Sequence, residues 1–372
     1  MNKIVKYVGL DVHKDSITIA IADEGRDGNV RLYGKISNDL GQIDNVMRKL
    51  ISQNAELHCV YEAGPCGYPI YRHLTSKGID CVVVAPALIP KKTGDRVKND
   101  RRDATHLATL HRSGELTPVY VPDQADEALR DLVRARKDIQ ISLRKVKQQI
   151  NAFLLRQGIS YPGKSKWGKA HLNWLAELKM QHPAQHIALT EYLDAMEDHE
   201  ARVKRIEKAI EQCCQTSRLL PVIEALQALR GISLLSAVTV VAELGDLSRF
   251  DTPAQLMAYL GLIPSEHSSG GTIKKGPITK TGNTHARRTL IESAQAYRMP
   301  ARKSKAIRKR QEGLPDDVLD IAWNAQLRLC HRYRRLIAKG KNHNVVITAI
   351  ARELAGFIWA IARAVPIVAA ER

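Results

Sequence analysis

The sequence predicts an α/β domain followed by two helical regions, and three observations carry that expectation. Over residues 1–122, β-branched runs alternate with helix-like stretches at short intervals, the pattern of strands and helices sharing one sheet. From Asp123 the composition changes to long charged stretches whose apolar residues recur at three-four spacing, which reads as extended amphipathic helices over 123–215. Over 216–372 short apolar stretches are broken at Gly231 and Gly245 and give way to basic segments, which reads as a mainly helical third region.

The first domain takes its elements in order. IVKYVGLDV, SITIAIAD and VRLYGKI are β-branched runs separated by charged or glycine-containing turns, so three strands come first. DLGQIDNVMRKLISQ then reads as a helix, ELHCVYE as a strand, a helix starts near Gly67, CVVVAP is a strand, and Asp100 to Arg112 form a helix. Three meandering strands followed by alternating crossovers predict a mixed sheet of the RNase H type. In the second region Leu132, Ile139, Leu143, Val146, Ile150 and Phe153 form one stripe, interrupted by Arg136. Leu189, Leu193, Met196, Val203, Ile206 and Ile210 form another. Two such stripes predict either a helix pair within one subunit or a coiled-coil arm between subunits. The glycine- and lysine-rich YPGKSKWGK breaks the helical pattern between them. In the third region LQALRGISLLSAVTVVAELGDLSRF resembles helical hairpins whose turn amides approach a phosphate backbone. A polar loop, HSSGGTIKKGPITKTGN, precedes a basic helix with Arg287 and Arg288, and RMPARKSKAIRKR is a charge run among aromatic residues.

Composition narrows the function. The 372 residues carry 57 Lys plus Arg against 39 Asp plus Glu, a formal charge of +18. A field of that sign draws polyanions, which makes nucleic acid the expected partner, and no run of 18 or more apolar residues offers a membrane span. The six cysteines show no paired C-x-x-C spacing, so neither a zinc site nor a disulfide framework is indicated. The N-terminus passes directly into a strand pattern with no apolar leader, which points to a cytoplasmic protein.

Against that basic background four carboxylates stand out. Asp11 closes the first strand and Glu62 the fourth, while Asp100 and Asp103 lie three apart at the start of a helix and so share a face extended by Leu107 and Leu110. Each has an ordinary alternative: Asp100 as a helix cap, Asp11 satisfying a turn, Glu62 pairing with a surface lysine. Together they predict a site for hard divalent cations at a phosphodiester, with Lys98, Arg101 and Arg102 holding the flanking backbone. His13 and Asp15 read equally well as surface residues or as participants. A sugar kinase or other ATPase on the same core would need a glycine-rich phosphate turn where this chain has DVHKD. A non-catalytic RNA-binding protein would leave the carboxylates unexplained.

GLDVHKD, YEAGPCGYP, KNDRRDA, LRGISLLSA and the stretch from GLIPSEHSSGG to KTGN-x-x-x-RR occur in the order found in transposases of the insertion-sequence 110 family, and the chain resembles that family over nearly its full length. The resemblance implies a RuvC-like DEDD catalytic domain over 1–122, a helical coiled-coil region over 123–215 and a C-terminal transposase domain over 216–372. Its DEDD set falls on Asp11, Glu62, Asp100 and Asp103, with Mg²⁺ as cofactor and Mn²⁺ as substitute. It further implies a catalytic serine, corresponding to Ser269. The implied activity is excision and insertion of a mobile element guided by a structured noncoding bridge RNA, on donor and target DNA, by a dimer that forms a tetramer in synapsis. A prokaryotic cytoplasmic location, nucleoid-associated on DNA, goes with it. The residues themselves leave HSSGGTIKKG open as a phosphate-contacting loop, with Lys274 and Lys275 as its cations, and the chain departs from the family resemblance in having Gly271 and Thr272 where that resemblance implies further serines. A RuvC-like nuclease, in which activated water attacks and no serine takes part, is the alternative enzyme.

Overall fold

The computed structural model describes residues 4–90, 99–266, 268–269, 271–272 and 274–365, and the chain divides into two compact units, Met1–Val121 and Pro122–Arg372. The first unit contains β1 (Ile4–Val12), β2 (Ser16–Asp23), β3 (Val30–Ser37), α1 (Leu40–Ile51), β4 (Ala55–Glu62), α2 (Pro69–Ser76), β5 (Asp80–Val84) and α3 (Asp100–Arg112). The strands form one mixed sheet in the order β3-β2-β1-β4-β5. The β1-β2 and β2-β3 pairs are antiparallel and the β1-β4 and β4-β5 pairs are parallel. This is the expected mixed sheet with its expected element order.

Alternation along the strands sorts the two faces. Val8, Leu10, Ile17, Ile19 and Ile21 pack with Ile43, Met47 and Leu50 of α1 and Leu74 of α2. Each such fully buried side chain contributes about 1.5–3 kcal/mol. The opposite face is lined with small residues, Ala20 and Ala22 meeting Ala104 and Ala108 of α3. Gly9 completes that surface: a Cβ there would lie 2.3 Å from the Ala104 carbonyl oxygen and 2.6 Å from the Ala108 nitrogen. The missing side chain lets α3 rest directly on β1.

The second unit begins with α4 (Gln124–Arg156), α5 (Lys169–Glu177) and α6 (Pro183–Cys214). Asp123 caps α4 by accepting from the Asp126 amide at 2.7 Å. The two apolar stripes face each other within this one chain. Val146, Ile150 and Phe153 share a core with Leu175 of α5 and with Leu189 and Met196 of α6. Arg136, the break in the first stripe, pairs with Glu207 of α6 at 2.7 Å. The helix pair within a subunit is therefore the arrangement adopted.

The remainder comprises α7 (Leu220–Leu226), α8 (Leu234–Leu244), α9 (Pro253–Tyr259), β6 (Pro264–Glu266), β7 (Lys275–Ile278), α10 (Thr284–Ala294), α11 (Lys305–Gln311), α12 (Asp316–Ala338) and α13 (His343–Ala364). They enclose a second, larger core that includes Val238, Leu256, Leu290, Leu329 and Leu354. Among the described residues α13 alone is long and apolar enough to cross a membrane, and its Ile350, Leu354 and Ile358 lie fully buried in that core. The turn glycine Gly231, at φ +83°, abuts the carbonyl of Ser293, where a Cβ would come within 2.3 Å. That close approach and the positive φ account for the glycine, which is itself exposed at the turn. All six cysteines are free.

Candidate active site

The parallel register of β1 and β4 pairs Leu10 with Tyr61, so Asp11 and Glu62 follow at the C-terminal ends of neighbouring strands. Alternation puts both on the face covered by α3, since Leu10 and Tyr61 belong to the opposite core. Asn99 caps α3, its side-chain oxygen accepting from the Arg102 amide at 2.9 Å. Asp100 is thereby released from the capping role open to it in the sequence. The first turn carries Asp100 and Asp103, where negative charge is favoured by the helix N-terminus. Leu107 anchors the helix against Val60 and Val84.

One edge of the sheet thus gathers the acids. Asp11, His13 and Asp100 offer ligand atoms that all lie within 4.8 Å of one another. His13 Nε2 is 3.2 Å from Asp11 Oδ2 and 3.5 Å from Asp100 Oδ1. Lys35 Nζ approaches Asp100 Oδ2 at 3.4 Å. Burial pushes the Asp11 carboxyl up, against the lowering pull of His13, and the charges of Asp100 and Asp103 add to the rise. The Lys35 ammonium beside Asp100 holds that carboxyl below the usual range. An oxygen-rich cluster in which Asp11 is disfavoured as an anion is one that a hard divalent cation would relieve. The residues fit such an ion.

His13, left open by the sequence as surface residue or participant, lies in the cluster, whereas Lys35 was missed, and the reason is a β-bulge. Leu32 pairs with Ala20 and Gly34 with Ile19, so the register skips Tyr33. The extra residue turns Lys35 onto the α3 face, opposite Thr18; without it strict alternation would send the lysine to the other side. The only advance signal was Gly34, a glycine inside a strand pattern, whose φ is +150°.

The predicted nucleic-acid residues separate into distinct environments. Lys98 lies outside the described residues. Arg101 and Arg102 are exposed on the first turn of α3. Lys274 precedes β7 and Lys275 opens it, and both are exposed. Arg287 departs from expectation. It is only 8% exposed, and its guanidinium donates to the Leu260 carbonyl at 3.0 Å and the Thr281 carbonyl at 2.7 Å. Loop closure, not phosphate contact, occupies it, because a buried guanidinium must find acceptors within the protein. Arg288, its neighbour, is exposed and pairs with Glu292 at 2.7 Å.

Ser269 sits on an exposed hairpin rather than an irregular loop. Pro264 pairs with Ile278 and Glu266 with Lys275. Farther out, Ser269 and Thr272 exchange backbone hydrogen bonds of 3.3 Å in both directions. In the sequence, Gly270-Gly271 between these two paired residues is the signal for a hairpin turn. The hydroxyl of Ser268 is held by Glu266 Oε1 at 2.8 Å, and Ser269 is exposed. His267 and Gly270 lie outside the described residues.

Comparison with known proteins bears on both units. Residues 8–158 match a DEDD transposase family profile of the IS110 type, and residues 223–310 match the profile of the transposase IS116/IS110/IS902 family. A Sinorhizobium fredii protein named as a transposase, y4qE, is 48% identical over 96% of this chain and 88% of its own length. The transposase for insertion sequence element IS1533 of Leptospira borgpetersenii is 31% identical over 90% of this chain and 97% of its own. The transposase for insertion sequence element IS1111A of Coxiella burnetii is 24% identical over 79% and 78% respectively.

Proposed function

Because the chain belongs to the IS116/IS110/IS902 family of transposases, we propose that it cleaves and rejoins DNA at the sheet edge formed by Asp11, Glu62, Asp100 and Asp103, with Ser269 as nucleophile. The observation that carries this reading is the convergence of Asp11 and Asp100, with Asp103 close enough to raise Asp11, on an otherwise basic protein. Mg²⁺, or Mn²⁺ in its place, would be held by these carboxylates and would supply charge neutralisation at a phosphodiester.

The chain's own groups do the rest. Lys35 lies 3.4 Å from Asp100, and His13 shares a hydrogen bond of 3.2 Å with Asp11. Arg101 and Arg102 flank the site and contact the DNA backbone. The Ser269 hydroxyl attacks phosphorus, forming a Ser-O-P bond as one P-O bond of the backbone breaks, and the departing oxygen takes up a proton to become a free hydroxyl. Attack by a DNA hydroxyl on this phosphoserine joins the new strand and returns the serine, so the exchange needs no nucleotide cofactor. Gly270 and Gly271 bring no side chains that would hinder a phosphate next to the serine, and Lys274 and Lys275 oppose charge developing on the phosphate. A structured bridge RNA encoded with the element selects donor and target DNA. The working form is a dimer that doubles in synapsis. Since much of both stripes packs within the chain, assembly draws on other surfaces, among them the exposed Ile141, Leu155 and Ile187 of the arm.

The test is covalent capture. Protein, RNA and a target interrupted beside the cleavage site are incubated, denatured and digested. A DNA adduct should map to Ser269, vanish in Ser269→Ala and persist in Ser268→Ala. Efficient cleavage by Ser269→Ala with no adduct would replace this reading with a water-attacking nuclease.

A further inference from the structure

Away from the carboxylates, a cleft of about 520 Å³ opens on the arm of the second unit, within the size range of small-ligand sites. One face of α4 forms its floor. Lys137, Gln140, Arg144, Gln148 and Asn151 recur at three- and four-residue intervals and all line it. Trp167, from the loop after α4, and Glu292 of α10 complete the wall.

Trp167 is held there under strain. Its φ is +67°, a conformation rare for an aromatic residue, and its backbone N-H donates to Nδ1 of His171 at 3.2 Å. His171 is buried, and burial, with Lys166 nearby, pushes its pKa down, which keeps the ring neutral and able to accept. The His171 ring also meets the indole edge-on at 5.0 Å. Lys147, paired with Glu200 at 2.7 Å, places its ammonium 5.2 Å from the indole centre. Asn151 is oriented by Lys166, which donates to its side-chain oxygen at 2.8 Å. The cations crowd one another: burial lowers the Lys137 pKa, and Arg288 and Arg144 lower it further against the opposing pull of Glu292.

We propose that this cleft binds an unpaired nucleotide of a nucleic-acid strand. The base stacks on Trp167, Gln140 and Gln148 meet its hydrogen-bonding edge, and Lys137 and Arg144 hold the adjoining phosphate. The inference rests on the transposase reading for the presence of nucleic acid and adds a site that reading does not contain. An indole beside amides and cations is the chemistry by which unstacked bases are recognised, whereas a base inside a duplex offers no free face.

Matching single-stranded RNA and DNA carrying one 5-iodouracil, and their duplexes, are irradiated with the full-length protein and the crosslinks mapped by mass spectrometry. The crosslinked peptide should contain Trp167, and whether the RNA or the DNA strand is captured identifies the source. Arg144→Ala, at an exposed position outside the core, should weaken single-strand binding about tenfold and leave duplex binding unchanged. Crosslinks that avoid Trp167, or equal loss of single-strand and duplex binding, would overturn the cleft. Unchanged binding by Arg144→Ala beside lost cleavage in Asp103→Asn would also overturn it, while leaving the transposase reading intact.

Discussion

At the scale of single residues, Asp11 is a place where the proposed function and stability would pull in opposite directions. Its carboxyl is pushed up by burial, against the lowering pull of His13, and further by Asp100 and Asp103, and its side chain is only 13% exposed, so the folded protein disfavours the anion that the proposed chemistry would use. Asp11→Asn should therefore abolish DNA cleavage while leaving thermal stability unchanged or raised by up to about 1 kcal/mol. A clear drop in melting temperature would show that the carboxylate is structural. Glu243 is the opposite case. Burial alone would raise it, yet hydrogen bonds from Arg134 at 2.9 Å and Asn283 at 2.6 Å hold it below the usual glutamate range. The unfolded chain then binds the proton more readily than the folded one. The stability contributed by Glu243 is present above about pH 4.5, its ordinary value, and is lost as pH falls through the depressed folded value. Glu243→Ala should cost about 2 kcal/mol at pH 7 and progressively less as pH falls below about 4.5, as urea denaturation across a pH series would register.

At the scale of elements, the placement of α3 on β1 decides where Asp100 and Asp103 stand, and Gly9 governs that contact. Gly9→Ala would put a methyl group against the Ala104 carbonyl, so α3 must lift; about 1–3 kcal/mol of stability and most of the cleavage activity should go together. Wild-type cleavage by a folded Gly9→Ala protein would disprove the coupling. The first unit was legible because its signals are local: β-branched alternation marks the strands, and Asn99 and the acidic first turn mark α3. What escaped the sequence depends on tertiary facts. The bulge that turns Lys35 toward Asp100 arises from pairing between strands. Two adjacent arginines look alike in a basic helix, yet only packing sends Arg287 inward and Arg288 outward. Periodicity marks the stripes of α4 and α6 but carries no information on whether the facing stripe belongs to the same chain. The hairpin at Ser269 was readable from Gly270-Gly271, and the surrounding hydroxyls and lysines drew the reading toward a loop instead.

At the scale of the whole molecule, a charge of +18 makes binding to nucleic acid a matter of counterion release. Affinity for DNA should fall by at least about 10³ between roughly 50 and 200 mM salt, as expected for six or more phosphate contacts. Fluorescence anisotropy across a salt series measures it, and a flat response would argue that charge plays no part in the complex. The burial of α13 has a further consequence, which concerns time. Chains grow at about 5–20 residues per second, and their domains fold in the order in which they are made. The sheet of the first unit is complete in sequence by Val121, whereas the core that supports the Ser269 hairpin stays open until residues 343–364 have been synthesised. For roughly ten to fifty seconds each nascent molecule has a foldable carboxylate unit and an unfinished serine unit. Every new copy of the protein is born with a built-in delay before both units are whole.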